Sequence, residues 1–133
     1  MIVDNNSLSQ WFGQYVNAFV ACGRGESDTA SLLAYYGVPL LLTTDDGFLA
    51  LTTGEQVVAA VQQQVDAMRA AGYARSQILD SGATILNSTS ALYHQTFSRH
   101  SSDGSEISRG TATYLVTDGP VGRRISVLAV HSP

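Results

Sequence analysis

Three observations predict an α+β fold in which helices pack on one face of a sheet. One long amphipathic helical stripe occupies the start of the chain, a capped helix and a short hairpin lie in the middle, and after Gly72 every segment reads as strand or turn. The predicted order is α-α-β-β-α-β-β-β-β, in a single domain over residues 1–133.

The first helix is expected from Ser7, because Ser7-Leu-Ser-Gln10 matches a Ser-x-x-Gln capping box. Leu8, Trp11, Phe12, Tyr15, Val16, Phe19 and Val20 then recur on one face, and Gly23 stops the pattern. A shorter helix is expected from about Ser27 or Asp28, turning Leu32, Leu33 and Tyr36 inward and ending at Gly37. Leu40–Thr44 and Phe48–Thr52 flank Asp45-Asp46-Gly47, a hairpin signal. Thr53-Gly-Glu-Gln56 is a second capping box, opening a helix whose apolar stripe is Val57, Val58, Val61, Val65 and Met68.

Four strands follow: Ser76–Leu86, Ala91–His100, Ser105–Thr117 and Arg124–His131, an antiparallel meander punctuated by Asn87–Ser90, Ser101–Gly104 and Asp118–Gly122. A two-stranded ribbon is not stable alone in water, so the closing hairpin requires further strands beside it and helices over one face.

Composition narrows the function classes. The net charge is −4, and all seven basic residues are arginines without a clustered basic face, which argues against nucleic acid as a partner. A 14% content of charged residues is low for a soluble surface and points to a covered apolar face, most simply in a homodimer. A single cysteine, Cys22, fits a reducing compartment. The first residues lack a basic segment followed by an apolar run, and no apolar run approaches the roughly 18 residues of a membrane span. The expected location is the cytoplasm, without membrane association.

The order of elements resembles the cystatin-like α+β barrel of the nuclear transport factor 2-like superfamily, including its SnoaL-like and ketosteroid isomerase-like members. The resemblance rests on Gln14-Tyr-Val-Asn-Ala-Phe19, Leu33-Ala-Tyr-Tyr36, Gly54-Glu-Gln-Val-Val58 and Gly122-Arg-Arg-Ile125. It implies a curved antiparallel sheet wrapped round the N-terminal helix as a cone-shaped barrel, with a pocket at the open end and a dimer formed through the outer sheet face. A strongly twisted sheet with helices on one face leaves such a concavity on physical grounds as well. The expected pocket residues are Trp11, Tyr15, Phe19, Tyr36, Thr113, Leu115, Ser126 and Leu128; a register shift of one would exchange the strand members for their neighbours.

By the same resemblance, Tyr15 stands where the ketosteroid isomerases place an oxyanion-donating tyrosine. The general-base position holds Thr43 or Thr44, and the position of the second acidic donor holds Thr113. Threonine can serve neither role, so steroid isomerisation is not expected. The remaining candidate catalytic groups are His94 on the second strand of the meander and Asp45 beside the hairpin turn. Ser98, His100 and Asp103 have a triad's composition but lie too close in sequence to be a working one. No histidine pair has metal-ligand spacing, and neither a metal nor a cofactor is expected. The leading expectation is a homodimeric domain binding a small, mostly apolar molecule. The alternative is a cofactor-independent isomerase, dehydratase, cyclase or epoxide hydrolase using Tyr15 with His94 or Asp45.

Overall fold

A computed structural model describes residues 4–131. Two α-helices and a short 3₁₀ segment pack on one face of a six-stranded sheet. Helix α1 (Asn5–Gly23) is capped by Asp4, whose carboxylate accepts from the Ser7 amide at 2.7 Å. The helix thus begins earlier than the Ser7 capping box predicts. Asp4 satisfies the first-turn donor and leaves Ser7 within the helix, where its hydroxyl accepts from Arg123 at 3.3 Å. The 3₁₀ segment (Thr29–Ala34) starts at Asp28, as its N-cap predicts, but ends before Tyr36. Tyr36 opens strand β1 (Tyr36–Thr44) instead, so its inward position comes from the strand.

The Asp45-Asp46 turn joins β1 to β2 (Gly47–Leu51) as expected. Helix α2 (Gly54–Ala70) starts at the predicted box: Thr53 Oγ1 accepts from the Gln56 amide at 3.2 Å, and Gln56 Oε1 accepts from the Thr52 amide at 2.7 Å. The meander is β3 (Tyr73–Asn87), β4 (Ser90–Ser101), β5 (Glu106–Gly119) and β6 (Gly122–His131).

The sheet runs β2-β1-β6-β5-β4-β3. Neighbours are antiparallel except β1 and β6, which pair in parallel. The curved sheet does not close on itself. The core lies between its concave face and α1, where Phe12 stacks on Tyr93 at 4.0 Å and meets Tyr114 edge-on at 4.7 Å. At the helices' C-terminal ends, the Arg69 guanidinium donates to the Cys22 carbonyl at 2.7 and 3.1 Å, joining the Gly25 amide on that acceptor and tying α2 to the end of α1. None of the described helices is long and apolar enough to cross a membrane.

One irregularity in the closing hairpin decides which side chains face the core. From the turn, Gly119 pairs with Gly122, Thr117 with Arg124 and Val116 with Ile125. Ser126 is then skipped, so Leu115 pairs with Val127 and Tyr114 with Leu128. This is a one-residue bulge on β6. An unbroken register would have set Leu128 opposite Thr113 and Ser126 opposite Leu115.

At the turn end, Arg123 Nε donates to Asp118 at 2.8 Å and Nη2 at 3.2 Å, with both side chains largely buried. These bonds hold the Asp118 carboxyl below the usual aspartate range. A group whose folded value is depressed stabilises the fold above its unfolded value, about pH 4, and that contribution is lost as pH falls through the folded value. Urea denaturation of Asp118→Asn is therefore expected to show a loss of about 1–3 kcal/mol at neutral pH, with the gap to wild type shrinking below about pH 4. A constant gap down to acid pH would disprove the assignment.

Candidate functional site

A cavity of about 50 Å³ lies between the C-terminal half of α1 and the concave sheet face. Helix α1 contributes Tyr15, Val16, Phe19 and Val20, successive members of its apolar stripe, and α2 contributes Gln64. From β3 come Ser76 and Ile78, from β4 Gln95, Phe97 and Arg99, and from β5 and β6 Ala112, Tyr114, Leu128 and Val130. Tyr36 reaches in from β1. Ile78, 41% exposed, is the most open of these side chains and marks where the cavity meets solvent.

The polar atoms form a connected set. The Tyr15 and Tyr36 hydroxyls lie 2.6 Å apart, both rings fully packed within the core. Gln95 Nε2 donates to the Tyr114 hydroxyl at 3.4 Å. Burial pushes the Tyr15 phenol well above its ordinary value, with the neighbouring Tyr36 and Tyr114 adding to the shift, and burial also raises Tyr36 and Tyr114. These phenols are neutral hydrogen-bond donors, and none can act as a base at neutral pH.

Arg99 is the charged group in the lining. Its guanidinium stacks over the Phe97 ring at 4.6 Å and the Phe19 ring at 5.7 Å. With the Gln64 amide turned to suit both groups, the Gln64 carbonyl accepts from Nη1 at 3.2 Å and Nη2 at 2.9 Å. No carboxylate pairs with Arg99 among the described residues. Burial lowers its pKa from the ordinary arginine value, offset in part by the surrounding tyrosines, and the group stays protonated.

The residues singled out from the sequence divide between the two faces of the sheet. Tyr15, Phe19, Tyr36 and Leu128 border the cavity. Trp11 sits one helical turn before Tyr15 and packs against Tyr35 and Phe12, below the cavity floor. Thr113 and Leu115 lie on the convex face, because they alternate with the inward Ala112, Tyr114 and Val116; Ser126 lies there with them, and the β6 bulge turns Leu128 alone of this set inward, opposite Tyr114. There Thr113 bonds His131 at 3.1 Å and Ser126 bonds Thr117 at 2.6 Å.

His94 also faces outward, over Gly82 and 3.5 Å from Asp80. Asp45 is exposed in the β1–β2 turn. Neither shares a face with Tyr15. Ser98 and His100 do meet, with Oγ 2.9 Å from Nε2, but on the convex face. The Ser98 hydroxyl donates to Glu106 there, and the Asp103 carboxylate is taken by Ser101 and Ser105. Among the described residues, no group of three or more His, Cys, Asp or Glu side chains could hold a metal ion.

The polar residues Gln64, Gln95, Arg99 and Tyr114 escape a reading by motif. The available signal is strand parity: in β4 the set Ala91, Tyr93, Gln95, Phe97 and Arg99 carries the large side chains, and its alternate is Leu92, His94, Thr96, Ser98 and His100.

A curved open sheet, an N-terminal helix in its concavity and a cavity at one end define the cystatin-like class of α+β domains. Solved structures of this kind overlay well. A domain with a cystatin-like fold from Nostoc punctiforme matches with a TM-score of 0.71 at 20% identity, covering 100% of this chain and 79% of its own. An NTF2-like protein from Novosphingobium aromaticivorans gives 0.70 at 15% identity, covering 97% and 81%. Aln2 from a Streptomyces species gives 0.70 at 12% identity, covering 99% and 94%. Such identities show the fold alone, and no curated protein matches the chain by sequence. Residues 5–133 match the family NTF2-like protein (DUF6841), and the chain belongs to that family.

The buried phenols make a direct prediction. Their folded values are raised, so they contribute stability in full below about pH 10, and this is lost as pH rises through the folded values. In an absorbance titration, the phenolate signal of Tyr15, Tyr36 and Tyr114 should appear only above that range, together with loss of near-ultraviolet dichroism. Reversible ionisation of every tyrosine near pH 10 in the folded protein would contradict the buried network.

Proposed function

We propose that this domain binds a small molecule in the cavity between α1 and the concave sheet face. The observation that carries the reading is a partly enclosed apolar and aromatic lining into which a few polar groups converge: Tyr15, Tyr36, Gln95, Tyr114 and Arg99. That is the usual constitution of a ligand site. Binding is favoured over acid–base catalysis because, among the described residues, the lining holds no carboxylate or imidazole, and the raised phenols cannot take up a proton at neutral pH. The catalytic alternative would require Tyr15 to work with His94 or Asp45, which lie outside the cavity.

The reading includes a homodimer formed through the convex face, in a reducing compartment such as the cytoplasm. None of the described helices covers that face, and Leu92, Leu115, Val127 and Leu41 pair successively across four strands into an apolar row.

Two experiments test these points. Ala112→Leu puts extra carbons into the cavity from the floor of β5, so small molecules retained by the wild-type protein in native mass spectrometry should be absent from a folded variant. Equal retention would place the ligand elsewhere. In light scattering the wild type should be a dimer and Leu115→Arg a folded monomer; a monomeric wild type would remove the dimer from the reading.

A further inference from the structure

The charge inside the cavity specifies its ligand further than the shape does. Arg99 is partly buried, and a guanidinium even partly taken out of water is costly unless it is paired and hydrogen-bonded. Gln64 engages two of the five N–H donors that a guanidinium carries, and the Phe97 and Phe19 rings face its plane, yet none of these neutralises the charge. The other polar groups nearby also have protons to give. In the Tyr15–Tyr36 pair one hydroxyl donates to the other, and the acceptor still holds a proton to donate elsewhere. The Tyr114 oxygen accepts from Gln95 and also neighbours Tyr15, so at least one of the three phenol protons remains to donate.

The cavity is therefore rich in donors and short of one negative charge. We propose that it is a carboxylate site, taking a small monocarboxylic acid whose carboxylate pairs with Arg99 and whose apolar body lies against Phe19, Phe97, Leu128 and Val130. This rests on the small-molecule reading of the same cavity.

Charge and size both favour a monocarboxylate. A lone cation balances one negative charge, and a phosphate dianion would enter the apolar lining with its second charge uncompensated. A planar carboxylate matches the guanidinium fork. The cavity's 50 Å³ holds about three or four water-sized groups, enough for the carboxylate and the first carbons of the acid. A longer chain would leave past Ile78, the exposed edge of the lining. The stacking on Phe97 and Phe19 fixes the guanidinium before a ligand arrives and so reduces the ordering cost of binding.

The test is calorimetric titration of the intact protein with sodium butyrate and with butyramide, which has a similar shape without the charge, at neutral pH and low salt. Butyrate should bind the wild type at least about tenfold more tightly than butyramide, in line with a charge-assisted pair. Arg99→Gln keeps a donor but removes the charge, and should abolish that preference while still binding the amide. Should the variant fail to fold, the wild type decides by nuclear magnetic resonance: butyrate should shift the Arg99 Nε–H resonance, and butyramide should leave it nearly unmoved.

Equal affinity for acid and amide in the wild type would overturn the carboxylate assignment and leave the small-molecule reading standing. An undiminished preference in Arg99→Gln, or a butyrate response that leaves Arg99 unmoved, would overturn the assignment in the same way. Saturable binding of neither compound would overturn both.

Discussion

The fold depends on burying one face of α1. Leu8, Phe12 and Tyr15 are each almost completely removed from solvent, and a flat sheet could not enclose a helix face so fully. The long strands β3 to β6 therefore curve, bringing Tyr93 and Tyr114 against Phe12 from two adjacent strands. Contact of this kind, aromatic and close-packed, occupies the end of the concavity nearest the helix N-terminus. Toward the C-terminal half of α1 the stripe continues as Val16, Phe19 and Val20, which border the cavity. The cavity is the volume left between the helix and a sheet whose edges do not meet, and Tyr15, Tyr36, Ala112, Tyr114 and Leu128 belong both to its lining and to the core.

The hairpin end opposite the cavity is held by charge. Arg123 joins Asp118 across the closing turn and reaches Ser7 on α1, so the start of the helix and the tip of the β5–β6 ribbon are linked. The register of the ribbon is thereby set from its tip, and the bulge at Ser126 then rotates the rest of β6 by one residue relative to β5. This one inserted residue determines that Leu128 and Val130, rather than Val127 and Ala129, join Tyr114 and Ala112 on the face toward the helix.

Most of the fold was legible in the sequence, because the signals are local and redundant. The stripe of α1, the Thr53–Gln56 box of α2, the Asp-Gly turn and the turn clusters of the meander each reappear as the elements they predict. The parallel pairing of β1 with β6 was not legible, since it joins segments far apart in the chain and leaves no local pattern. The candidate site was legible on the helix and at Tyr36 and Leu128, and misread at Thr113, Leu115 and Ser126. Periodicity fixes a helix face from within the helix, whereas the face of a strand residue depends on a partner, and a single bulge reverses it. Arg99 was missed for a related reason. In a strand that mixes polar and apolar residues on both faces, an arginine reads as solvated, and only the aromatic neighbours Phe97 and Phe19 show that it turns inward.

What the cavity can do follows from which protons are mobile in it. Tyr15 and Tyr36 share a hydrogen bond at 2.6 Å in a fully packed environment, and ionising either would place an anion where solvent cannot reach it. Proton transfer requires an acid or base beside the reacting group, and the imidazoles of His94 and His100 and the Glu106 carboxylate lie on the convex face. The inner groups are fixed donors around one fixed positive charge. Such an arrangement changes little in protonation across the physiological range, so it suits recognition of a group that is already charged in solution, with the aromatic walls supplying affinity for the rest of the molecule.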